Sequence, residues 1–176
     1  IRVATAKNLV DEPGDRRSHK ISTPSLGGVA IFAGIIFSTI LWIPFQYFGN
    51  LQYFLCALVL LFLIGVKDDI LPMKPINKLM GQLVASMILV FKADVQLFSF
   101  YGIFEIYELP YGISVALSVF LILVIINAFN LIDGINGLSG SIGSLVYLLL
   151  GIWFVMADES VLALISFTCA GAVLAF

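Results

Sequence analysis

Charge is what this sequence has least of. Of its 176 residues only 11% are Asp, Glu, Lys or Arg, while 61% are apolar, and soluble domains carry roughly one quarter charged residues. That shortage excludes water as the main solvent. From Ile21 to Val66 there is no charged residue at all. Strict apolar–polar alternation is also missing, which excludes a transmembrane barrel and leaves helices that satisfy their own peptide groups in lipid. The expected class is therefore all-α and polytopic. Cysteine is scarce too: Cys56 and Cys169 stand alone in apolar runs, with no spacing for a disulfide framework or a metal site, and each reads as a small packed hydrophobe. There is no internal repeat or low-complexity tract. No cleavable signal pattern opens the chain, so insertion is expected to depend on the spans themselves. Ile1 begins a polar stretch and Phe176 falls inside an uncharged run from Ser160, and the sequence is expected to be a piece of a longer chain, inactive by itself.

The uncharged run from Ile21 to Val66 is too long for one crossing at about 20 residues each and right for two. Pro44, Gly49 and Asn50 mark the expected turn between spans at Leu26–Phe48 and Leu51–Val66. Further spans are expected at Ile76–Phe91, Tyr111–Ile132, Leu138–Met156 and from Val161 onward, six in all. Residues 1–25 then form a polar loop ahead of a multi-spanning domain over 26–176, with loops near 67–75 and 133–137. Residues 92–110 mix Asp94, Glu105 and Glu108 with Phe98, Phe100, Tyr101, Phe104 and Tyr107, a composition suited to the membrane surface.

Six crossings alternate the loops between two sides. Arg2, Lys7, Arg16, Arg17, Lys20, Lys67, Lys74 and Lys78 fall on one side and Lys92 alone on the other. Eight bases against one make the first side cytoplasmic by the positive-inside bias. The expected location is a bacterial inner membrane, with the chemistry facing the cytoplasm.

Three polar clusters gather on that face. Asp68 and Asp69 follow an apolar helix at its C-terminal end, where the helix dipole disfavours negative charge. A hard cation such as Mg²⁺ would compensate, since it is held by one or two carboxylates with substrate phosphates. Solvated loop charges balanced by Lys67 and Lys74 are the plain alternative. Asn127, Asn130 and Asp133 step round a helix by about 60° each and share one face. Gly134 and Gly137 follow, suiting a tight turn whose amides cradle phosphate, although asparagine also joins membrane helices by hydrogen bonds. The basic segment Arg16-Arg17-Ser18-His19-Lys20 reads either as an anion site or as a topogenic signal. Lys20 precedes Thr23-Pro24-Ser25-Leu26-Gly27-Gly28, whose paired glycines permit close approach. His19 fits a solvated loop as readily as a phosphate ligand.

With these motifs in hand, the chain resembles the polyprenyl-phosphate N-acetylhexosamine-1-phosphate transferases, in a branch that uses UDP-N-acetylglucosamine or a related donor. The resemblance rests on Arg17 to Lys20 with Thr23 to Gly28, on Gly65-Val-Lys-Asp68-Asp69, and on Asn127 to Leu138. It implies transfer of a sugar-1-phosphate from a UDP-sugar to polyprenyl (undecaprenyl) phosphate, releasing UMP and starting cell-envelope polysaccharide synthesis. It implies essential roles for Asp68 and Asp69 near the metal and nucleotide contacts from Lys20, Asp133, Gly134, Ile135 and Asn136; Asp133 is also taken as a catalytic candidate, and His19 and Asn127 join the substrate-binding candidates from the motifs themselves. Asp69 and Asn130 are implied metal ligands, for Mg²⁺ or else Mn²⁺. A homodimer stays open as a partner, and nothing calls for nucleic acid. Asn136 departs from the aspartate usual in bacterial members, and the family's later metal-binding aspartate and histidine-rich loop fall beyond Phe176. The rival class is a transporter or channel with Asp68, Asp69 and Asp133 along a cation path, against which stands the lack of acids within the spans.

Overall fold

The computed structural model describes residues 10–11, 23–24, 27–133, 135 and 137–175. Among them are two strands of two residues, β1 (Val10–Asp11) and β2 (Thr23–Pro24), paired antiparallel with Val10 opposite Pro24. Six α-helices carry the rest: α1 (Gly27–Trp42), α2 (Phe48–Ile70), α3 (Pro75–Phe91), α4 (Tyr111–Ile132), α5 (Leu138–Met156) and α6 (Ser160–Leu174). The all-α class holds. Three stretches, Phe45–Ile70, Tyr111–Ile132 and Leu138–Met156, are long and apolar enough to cross a membrane, and α1, α3 and α6 are shorter apolar helices of 16, 17 and 15 residues.

Two boundaries differ from the sequence expectation. The break between the first two helices falls at Ile43–Pro44, followed by a 3-10 turn at Phe45–Tyr47, while Gly49 and Asn50 lie in the first turn of α2. Proline has no N–H to donate and its ring clashes with the preceding turn, so Pro44 stops α1; Gly49 and Asn50 sit where helical N–H groups need no partner within the helix. At its other end α2 runs on through Lys67, Asp68 and Asp69 to Ile70, and the loop shrinks to residues 71–74. The polar residues expected in a loop are the last turn of a helix.

The chain forms two compact units. One holds residues 1–47 and 129–176, the other residues 48–128. In the first, α6 packs against both α1 and α5. A Cβ on Gly151 of α5 would lie 2.8 Å from the Phe167 ring of α6, so any larger residue there would force the ring to shift. In the second, α2 packs against α3. Most of the packed positions are small or polar: Ala57, Ala85, Ser86, Ser114, Ala163, Ser166 and Ala170 are buried, beside the larger Ile43, Leu51 and Val90, while Phe37, Leu63, Phe120, Leu149 and Trp153 are exposed. Large apolar groups outside and small ones between helices is the pattern of packing in lipid, where tails solvate leucine as well as protein does. The protein is embedded in the membrane.

The second unit contains a non-helical stretch at the depth of a span. After α3 ends, the Leu97 N–H donates to Ser118 Oγ at 2.8 Å, and Ser114 Oγ donates to the Leu97 carbonyl at 2.8 Å. Both serines are buried on α4, about 5 and 10 Å along its axis from Tyr111 at 1.5 Å per residue. Unwound backbone at that depth is tolerated only when protein groups satisfy it, and here two hydroxyls do. The 17-residue α3 is thereby extended by an unwound tail lying against α4.

Candidate active site

Asp68 is the best-defined acid of the expected set. It lies half-buried in the last turn of α2, its Oδ1 accepting from the Met73 N–H at 2.8 Å and its Oδ2 from Lys78 Nζ at 3.0 Å. Pro75 at the first position of α3 spares a donor the helix could not use, and Lys78 stands one turn further on. The counter-charge expected for the aspartates against the α2 dipole is a hard metal ion; the positive group the structure sets against Asp68 is this lysine. Among the described residues neither Lys67 nor Lys74 is paired with Asp68, and in the sequence Lys78 counts only as one base among eight on its side. A lysine one turn inside a helix that a four-residue loop joins to an aspartate is the signal that could have found it. Asp69, the next residue, is exposed.

Asn127 and Asn130 lie three residues apart on α4, and the Asp133 N–H donates to the Phe129 carbonyl at 3.1 Å, so the helical ladder reaches Asp133. The shared face is thus present. Asn127 joins two helices, its amide donating to Gln82 Oε1 on α3 at 2.9 Å and to the Leu123 carbonyl at 2.8 Å. Gln82 is buried, and sequence reasoning misses it. An amide in the apolar middle of a helix is its signal, since such a group seeks a partner on a neighbour. For Asn127 the interhelical alternative is therefore the one observed.

Asn130 and Asp133 are exposed, and Ser139 donates its hydroxyl to the Asp133 carboxylate. Ile135, also exposed, accepts from the Leu138 N–H at 3.1 Å. Gly137 precedes α5 at φ 73°, a left-handed conformation that glycine adopts without steric cost. The expected glycine turn is real at this residue. His19, Lys20, Gly134 and Asn136, with Arg16 and Arg17, lie outside the described residues.

Among the described residues no group of three or more His, Cys, Asp or Glu stands together as a metal cage. Asp68 is already engaged by Lys78 and the Met73 N–H.

Exposed carboxylate and amide groups at the ends of apolar helices define a polytopic membrane protein with polar chemistry at its surface. The sequence profile of glycosyl transferase family 4 matches residues 51–176, and the chain belongs to that family. It is 32% identical, over 99% of its own length and 47% of the relative's, to the undecaprenyl-phosphate alpha-N-acetylglucosaminyl 1-phosphate transferase of Salmonella typhi. The protein of the same name from Escherichia coli strain K12 is 30% identical over 75% of this chain and 36% of its own length. The chain spans about half the length of these relatives or less. No solved structure matches it.

Proposed function

We propose that the protein carrying this chain transfers N-acetylglucosamine-1-phosphate from UDP-N-acetylglucosamine to polyprenyl phosphate at the cytoplasmic face of a bacterial inner membrane. The observation that carries this reading is the alignment of 99% of the chain with a transferase of that name, in a sequence that has Asp68, Asp69, Asn130 and Asp133 at helix ends. An oxygen of the lipid phosphate attacks the β-phosphorus of the donor. The bond from that phosphorus to the bridging oxygen breaks, and UMP leaves with the oxygen. The lipid phosphate has its second pKa near ~6 and is largely ionised at neutral pH, so no strong base is required.

The work is chiefly positioning and charge neutralisation. Asp69 and Asn130 would hold Mg²⁺, which supplies positive charge to the diphosphate oxygens when bound. Lys20 and the turn from Asp133 to Asn136 would hold the nucleotide, with Ser139 orienting the Asp133 carboxylate. Asp68 keeps α2 and α3 joined beside Asp69.

The test uses membranes containing the complete gene product, given radiolabelled UDP-N-acetylglucosamine and undecaprenyl phosphate with and without Mg²⁺. Labelled lipid and UMP should form only with the metal, and Asp69→Asn should abolish both. Folded protein that yields no labelled lipid from any of a panel of UDP-sugars would overturn the reading and favour ion transport.

A further inference from the structure

The segment between α3 and α4 is more ordered than a connection needs to be. Leu109 N–H donates to the Phe98 carbonyl at 2.9 Å and Gly102 N–H to the Ile106 carbonyl at 3.2 Å, while the Ser99 hydroxyl bonds the Tyr107 carbonyl. These bonds close a hairpin-like excursion over 98–109. Its base is fixed, because Leu97 is held through both its N–H and its carbonyl by the buried Ser118 and Ser114. The loop cannot swing freely about its stem.

Its tip is unlike that of a water-facing turn. Tyr101, Phe104 and Glu105 have φ of 51°, 57° and 60°, left-handed values that are outliers for bulky side chains. Turns of this shape ordinarily take glycine, asparagine or aspartate. Here strained positions carry aromatic rings, and those rings project outward: Tyr101 is 89% exposed and Phe104 85%. In water such a tip would combine strain with apolar exposure. Strain of this kind persists where the surroundings favour the geometry.

Chain continuity says what those surroundings are. The hairpin closes at Leu109, two residues before α4 starts, and α4 is long and apolar enough to cross a membrane. The hairpin therefore stands at the boundary of the bilayer. Tyr101 presents an apolar ring with a polar end, the amphipathic shape enriched at headgroup level, and Glu105 and Glu108 can keep their carboxylates in water.

We infer that the 98–109 hairpin is a fixed interfacial anchor, locked to α4 by Ser114 and Ser118, that seats Tyr101 and Phe104 between the lipid headgroups and the acyl chains. It sets the depth at which α4 sits in the membrane and stands independently of the transferase reading.

The test places a single tryptophan at the tip. Tyr101→Trp and Phe104→Trp are made separately in the complete gene product, with every other tryptophan replaced by phenylalanine. Each is reconstituted in phosphatidylethanolamine and phosphatidylglycerol vesicles whose acyl chains carry bromine either near the headgroup or near the chain end. Both should emit at shorter wavelength than free indole, lose more intensity to shallow bromine than to deep bromine, and resist iodide. Full iodide quenching without loss to bromine at either depth would put the tip in water and overturn the inference. Resistance to iodide that disappears with one chain per nanodisc would assign the cover to a second copy and overturn it equally. Should either variant fail to fold, collisional broadening by a water-soluble relaxant of a spin label at Ile103→Cys, an exposed tip position, with Cys56 and Cys169 replaced by alanine, decides the matter in the same way.

Discussion

Cutting the tie between Asp68 and Lys78 tests how the α2–α3 hairpin is held. The pair is 3.0 Å apart with Lys78 23% and Asp68 26% exposed, between a surface pair worth about 0.2–1 kcal/mol and a buried one whose disruption costs about 3–5 kcal/mol. Lys78→Met keeps most of the stem and removes the ammonium. Asp68→Asn keeps an oxygen for the Met73 N–H and removes the charge. A double-mutant cycle on these two changes should return a coupling of about 1–2 kcal/mol, since contacting residues depart from additivity by that order. The readout is unfolding of the detergent-solubilised protein by increasing sodium dodecyl sulfate, followed by circular dichroism. Because both groups are partly exposed, high salt should lower the coupling without erasing it. Asp68→Ala should cost about 1 kcal/mol more than Asp68→Asn, as it leaves the Met73 N–H without its acceptor. Additivity of the cycle within about 0.5 kcal/mol, which is what independent sites give, would refute the reasoning.

Other changes probe separate parts of the chain. Ser118→Ala removes the acceptor for the Leu97 N–H and should cost about 1 kcal/mol, with faster hydrogen exchange at the Leu97 amide as the specific sign. Gln82→Leu should cost about 1 kcal/mol or less in the same unfolding assay by removing one of the two acceptors of the Asn127 amide and the tie between α3 and α4, and Asn127→Leu added to it should cost little more. Gly137→Ala, at φ 73°, should cost about 1–2 kcal/mol because a Cβ is strained in the left-handed region. Its thermal midpoint should fall while helix content is unchanged.

Much of the fold was legible because hydropathy and punctuation agree. Tyr111–Ile132 and Leu138–Met156 were bounded correctly from sequence, since Pro110, the Asp133–Gly137 turn and Asp158 interrupt long apolar runs on either side. The earlier boundary was not legible at Gly49–Asn50, because glycine and asparagine mark turns only where the backbone needs them, and Pro44 had already broken the helix five residues before. Nor could composition reveal that α2 continues through Asp68. That extension depends on an N–H from a four-residue loop and an ammonium ten residues away, a pairing set by the geometry of the hairpin. The face shared by Asn127, Asn130 and Asp133 followed from helical spacing. The diversion of Asn127 to Gln82 did not, because periodicity orders residues around one helix and is silent about its neighbour.

The serine pair beneath Leu97 also bears on how the chain enters the membrane. A translocon releases segments one after another, and α3 emerges before α4. Until Ser114 and Ser118 arrive, the Leu97 N–H and carbonyl lack these partners, and burying them in lipid unpaired is unfavourable. The two hydroxyls therefore favour entry of α3 and α4 as a pair over entry of α3 alone.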